Sequence, residues 1–148
     1  MADFGDLSKK LREHGDTILV NQNKKTIRVA LAVDALIVKA MPVDTGRAKS
    51  SVVVTVGESS SSEIQAPYFA GKKGSTAGAN AQAAIAQAES ALQGREFGQE
   101  IHININLPYI DDLNKGYSPQ AAAGFIEQAI RDGIATETGV EASLLKRT

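Results

Sequence analysis

The sequence predicts an α+β fold: a small antiparallel sheet with a long N-terminal helix, a middle helix and a C-terminal helix packed on one face. Three observations carry this expectation. Apolar residues recur at helical spacing from Leu7 to about Ala40. Two segments, Ser51–Val56 and Gln99–Leu107, have strand character, the second with strict alternation. Ser118-Pro119 then opens a last amphipathic stretch to about Thr136. The 148 residues suit a single domain over 1–148 and can bury a core built from Ala, Val, Ile and Leu, since aromatics make up only 5%.

The first helix carries two apolar rows, Ile27, Leu31, Ala35, Val38 and Val29, Val33, Leu36, Ala40. Lys24, Lys25, Arg28, Asp34 and Lys39 fall mostly outside that stripe. A joint is expected near Gly15, with Asp16 capping a second piece, and residues 1–6 are expected to be loose. Pro42 stops the helix, because the residue before a proline is forced out of the α region. Asp44, Thr45, Gly46 and Arg47 follow as a structural turn in which Gly46 takes a positive φ.

Ser51–Val56 is β-branched and reads as a strand, with Glu58–Ser62 as a polar tip and Glu63–Ala66 as a short return strand, making a hairpin. Residues 67–79 are Gly-, Ala-, Ser- and Lys-rich without periodicity and read as a mobile loop. Within it Tyr68, Phe69, Lys72 and Lys73 form a candidate inter-subunit arm, two aromatic anchors and two cations among small residues; the alternative is that Tyr68 and Phe69 tuck into their own core and only the Gly-Lys tip is mobile. Asn80 caps a helix from Ala81 to Leu92, which Gly94 ends. Gln99–Leu107 places Ile101, Ile103, Ile105 and Leu107 on one face and Glu100, His102, Asn104 and Asn106 on the other. Pro108 ends it, and a helical turn over 109–113 closes at Gly116.

The last helix, capped by Ser118, is expected to bury Ala122, Phe125, Ile126, Ala129, Ile130 and Ile134. Pro108, Tyr109, Leu113, Gly116, Ser118, Gly124 and Phe125 form a packed corner between strand and helix. The tail over 139–148 is expected to be loose unless a partner holds it.

Composition narrows the chemistry. The chain has no cysteine, which excludes disulfides and thiolate metal sites. Its two histidines, His14 and His102, lack a companion at ligand spacing. Asp111-Asp112 are neighbours on a helical turn and point apart. Gly71-Lys72-Lys73-Gly74-Ser75-Thr76 has the residue types of a phosphate loop but neither its order nor a preceding buried strand. The chain is therefore expected to be neither an enzyme nor a holder of metals or cofactors. The longest apolar-rich run, Val29–Met41, is too short to span a bilayer, so a soluble chain without a membrane partner is expected.

Net charge is −1, but residues 1–49 carry nine basic against six acidic side chains, and residues 95–148 five against eight. Opposite ends of this kind suit head-to-tail contacts between copies in a ring, and are read equally well as ordinary scatter of solvated charge.

Three segments resemble the tail-completion or neck proteins of long-tailed bacteriophages, also described as head–tail joining or minor tail proteins. Pro42-Val43-Asp44-Thr45-Gly46-Arg47-Ala48 resembles the turn after their long helix. Asn106-Leu107-Pro108-Tyr109-Ile110 with Leu113-Asn114-Lys115-Gly116-Tyr117-Ser118 is similar to their second signature, and Gln120-Ala121-Ala122-Ala123-Gly124-Phe125-Ile126 to their third. The likeness spans roughly residues 20–135. Two departures stand out: Ser51-Val52 where many relatives have Trp, and Ala122 where Pro is common.

The resemblance implies a virion protein, made in the host cytoplasm, that forms a ring, hexameric or dodecameric, between the head connector and the tail tube. Its partners would be copies of itself, head-completion or connector proteins, and tail-terminator or tail-tube proteins, with DNA only as cargo in the channel. The alternatives are a tail terminator or another minor tail protein. A small DNA-binding regulator using Lys9, Lys10, Arg12, Lys24, Lys25 and Arg28 is a different class, disfavoured by a pI of 6.1 and by the lack of interleaved aromatics.

Overall fold

The computed structural model describes residues 4–43, 46–64 and 67–139. The element order is α1 (Phe4–Ala40), α2 (Arg47–Ser50), β1 (Val52–Val56), α3 (Ala77–Gln93), β2 (Ile101–Ile105), α4 (Ile110–Asn114) and α5 (Phe125–Thr138). The α+β expectation holds: α3 and α5 each pack on α1, and α3 and α1 also contact β1 of a two-stranded sheet.

α1 is one continuous helix of 37 residues, about 55 Å long at 1.5 Å per residue. It passes through Gly15 without the expected joint, and Asp16 lies inside it rather than capping a second piece. A lone glycine costs an α-helix only about 1 kcal/mol, too little to break so long a run of good formers. Phe4–Asp6 are helical too, so the looseness expected over 1–6 does not extend to them.

The buried face of α1 is Ala30, Val33, Asp34, Ile37 and Val38. Asp34 corrects the expectation that it lies outside the apolar stripe: it is 0% exposed. Lys49 closes the C-terminus of α1, its Nζ donating to the carbonyls of Val38 at 2.6 Å and Lys39 at 3.2 Å. A cation there meets the negative end of the helix dipole, while burial lowers the lysine's pKa.

The expected hairpin is not formed. β1 pairs antiparallel with β2, with Val52 opposite Ile105, Val54 opposite Ile103 and Val56 opposite Ile101. Glu63 and Ile64 are not in a strand, and residues 65–66 lie outside the described ones. The matched Val and Ile rows share one face, and α3 lays Ala84, Ala88 and Leu92 toward the core that they help to form. Gln87 of α3 occupies backbone groups of β1: its Oε1 accepts from Val54 N at 3.0 Å and its Nε2 donates to Val54 O at 2.7 Å. The amide thus stands in for a strand neighbour at an edge that would otherwise be open.

The polar face of β2 is not simply solvated. Asn104 Oδ1 accepts from Ser60 N at 3.1 Å, and Asn106 Nδ2 donates to the carbonyls of Ser60 and Ser62 at 2.6 and 3.0 Å. The Ser-rich segment folds back along these asparagines, and Val53, opposite Asn104, is 0% exposed.

α3 begins at Ala77, so residues 77–79 are helical and Asn80 lies in the first turn instead of capping it. α5 begins at Phe125 rather than at Pro119. Gly124 sits at φ +72 just before it, a left-handed residue through which a helix cannot run. Ser118 accepts a turn bond from Gln120 N at 3.2 Å instead of capping a helix. Ala122 and Ile130, expected to be buried, are exposed. The buried face of α5 is Phe125, Ala129 and Gly133, with Ile126 and Ile134 packed at its margin.

α1 and α5 cross closely at Gly133. A Cβ there would meet Val33 Cγ2 at 2.6 Å and Val33 N at 2.8 Å. Gly133→Ala is therefore expected to lower stability by about 1–2 kcal/mol in denaturant titration, because forcing two helices apart outweighs the helix-propensity gain of about 1 kcal/mol. A more stable variant would refute the close crossing.

Candidate functional site

The sequence marked a turn at residues 44–47, a corner over 108–125 and an arm at 68–73. Asp44 and Thr45 lie outside the described residues. Gly46 is buried with φ +77, as expected for a left-handed turn residue. A Cβ on it would land on the Asn80 side-chain nitrogen. Arg47 opens α2, a short helix that sequence reasoning missed, and pairs with Glu63.

Asn80 is the hub of this region. Its Oδ1 accepts from Ser50 Oγ at 2.9 Å and from Phe69 N at 2.8 Å. Its Nδ2 donates to Phe69 O at 2.9 Å and Thr76 Oγ1 at 3.1 Å. One buried amide thereby joins α2, α3 and the loop before α3. Gly46→Val is expected to destabilise the protein by about 2–3 kcal/mol, since it combines a left-handed β-branched residue with displacement of this amide. An unchanged melting temperature would remove the reading.

The arm residues are placed by the same hub. Phe69 is held through its backbone yet is 47% exposed, and Tyr68 is 40% exposed. Lys72 and Lys73 sit at the exposed tip, where Ser75 N donates to Lys72 O at 3.1 Å and Lys73 adopts φ +52. The stretch is therefore not featureless: its backbone is bonded, and its large side chains face outward.

The expected corner is only partly packed. Phe125 is buried and Leu113 packs against the same core, but Pro108, Tyr109 and Gly116 are exposed. Gly116 has the positive φ of a turn, +92. What joins the corner is Asn114, a residue the sequence did not mark. Its carbonyl accepts from Gly124 N at 2.7 Å and its Oδ1 from Ile126 N at 3.1 Å, which caps α5 from another element. Its Nδ2 donates to both Glu127 oxygens at 2.9 Å. These hydrogen bonds are the largest cause holding the Glu127 carboxyl below its ordinary value. Gln120 in turn accepts from Val43 N at 2.9 Å.

Among the described residues no group of three or more His, Asp or Glu is placed to hold a metal ion. His14 is exposed, and His102 Nε2 lies 3.3 Å from a Glu100 oxygen. No described helix is long and apolar enough to cross a membrane.

Comparison of the chain with family models, with curated proteins and with solved structures returns no match.

Proposed function

We propose that this chain is a non-catalytic structural protein of a bacteriophage neck. In this reading it forms a ring that joins the head connector to the tail tube and leaves a channel for DNA. The observation that carries the reading is the meeting of the three neck-like segments. The first is joined to the third by a bond from Val43 to Gln120, 77 residues apart, and the second to the third, its neighbour in sequence, by Asn114 to Gly124 and Ile126. Residues used in this way serve to hold a corner between helices, the role of a scaffold element. Tyr68 and Phe69, exposed on a braced backbone, are suited to anchor a neighbouring subunit.

The ring is tested by measuring the native mass and negative-stain shape of the purified full chain. A closed ring of six or twelve copies is expected. A single-chain mass at every concentration would count against it. Removing the gene from a phage that carries it should yield filled heads and separate tails. Normal joined virions would overturn the proposal.

A further inference from the structure

The two edges of the sheet differ. In its antiparallel register Gly57 N donates to Glu100 O at 2.8 Å, while Val54, opposite Ile103, turns its N–H and C=O away from β2 to the Gln87 amide. Hydrogen-bonded and non-hydrogen-bonded pairs alternate along such a ladder. Val53–Asn104 and Thr55–His102 are therefore the bonded pairs, and Ile101, Ile103 and Ile105 point their N–H and C=O groups to the outer edge of β2. Among the described residues nothing hydrogen-bonds to them on that side. β2 also lacks the devices that blunt an exposed edge. No proline or lysine interrupts Ile101–Ile105, and its register with β1 runs without a bulge.

The strand that complements this edge is β2 itself. A second copy laid antiparallel about a two-fold axis at Ile103 sets Ile103 against Ile103, and Ile101 against Ile105 of the other copy. Both strands then turn their outward-pointing groups toward each other, so each of these pairs exchanges two hydrogen bonds, about six in all. The same register continues the isoleucines, which pack on the core side, as one apolar row across four strands. On the other face His102 meets Asn104 and Glu100 meets Asn106, so no like charges oppose one another. Growth stops at two copies. The outer strands of the enlarged sheet are the two β1 strands, each closed at Val54 by its own Gln87 amide. An edge that pairs with itself and leaves no further edge makes a closed contact rather than a fibre.

We propose that two copies of this chain join through their β2 edges, centred on Ile103, into a continuous four-stranded antiparallel sheet. The contact goes beyond the neck reading and does not rest on it. A pair can stand alone, and between rings of six it would set two rings back to back as twelve.

The test is residue-resolved amide hydrogen exchange on the full chain, with native mass measured in the same samples. The Ile101, Ile103 and Ile105 amides are expected to be protected wherever the mass exceeds one chain, and to exchange freely once dilution has reduced it to single chains. The His102 and Asn104 amides, bonded to β1, should stay protected throughout. Fast exchange at the three isoleucines in a sample with the mass of a ring would overturn the pairing and leave the ring standing. A single-chain mass at every concentration would overturn both. The register is read by mixing separately made His102→Cys and Asn104→Cys chains, which a cysteine-free sequence allows. In the proposed sheet these positions face each other as a non-hydrogen-bonded pair, about 4.5 Å apart at Cα and within disulfide reach. Mild oxidation of the mixture is expected to give a linked dimer, and each variant alone several-fold less of it. Protected isoleucines in the unaltered chain without a linked dimer in the mixture would place a different strand on the edge and overturn the self-pairing.

Discussion

Replacing Phe125 with alanine is expected to destabilise the protein by about 3–5 kcal/mol. Phe125 is the first residue of α5 and belongs to the buried core cluster that also holds Val33, Ile37, Met41, Leu107, Ala121 and Ala129. The cluster draws on α1 and the residue after it, on the segment leaving β2, on the turn before α5 and on α5 itself, so Phe125 sits in the core where these parts of the chain converge. The capped helix start cannot slide in to close the gap, because Asn114 bonds both Gly124 and Ile126. The void should therefore stay largely open, with a fall in melting temperature on the order of 10 °C for a chain of this size. A loss below about 1 kcal/mol together with impaired assembly would instead place Phe125 at a contact between copies.

Asp34→Asn is expected to stabilise the protein at pH 8 by an amount approaching about 4 kcal/mol, measured by urea unfolding. Neither Asp34 oxygen has a hydrogen-bond partner among the described residues, and burial pushes its carboxyl from 3.8 up to about 7. The free-energy equivalent of that change is about 4 kcal/mol. The sign follows from proton binding. The folded state holds the proton more tightly than the unfolded chain, so stability is full below about pH 4 and declines as pH rises to about 7. The wild type minus variant difference should grow across that window and vanish at its acid end. A difference independent of pH would show that Asp34 is not titrating there.

Asp34 also shows what kind of information the sequence lacks. A lone carboxylate in a helical apolar row is read outward by default, because burying an unpaired charge is costly. Only the placement of neighbouring helices decides otherwise. The helical rows themselves were legible, since periodicity is a local property, and so was the alternation of β2. The partner of β1 was not. A return strand at 63–66 is close in sequence, whereas Ile101–Ile105 wins by offering a matched row of three isoleucines opposite three valines.

The start of α5 was hidden for a related reason. Ser118-Pro119 is a good local start signal, but Gly124 in a left-handed conformation and the cap from Asn114 set the boundary six residues later. At the candidate site Gly46 was legible from its turn context. Asn80 looked like a helix cap, and its role as a hub depends on Phe69 and Ser50, which only the fold brings to it. The aromatic pair Tyr68 and Phe69 was visible as an anchor candidate, although the bonded backbone beneath it was not.

The most direct test of a role in the neck is to measure where the protein resides in a phage that carries it. Quantitative labelling of purified virions, and of heads and tails separated from them, should find it at the head–tail junction in a small fixed copy number. Absence from virions, with the protein remaining in the soluble fraction of the infected cell, would contradict the account.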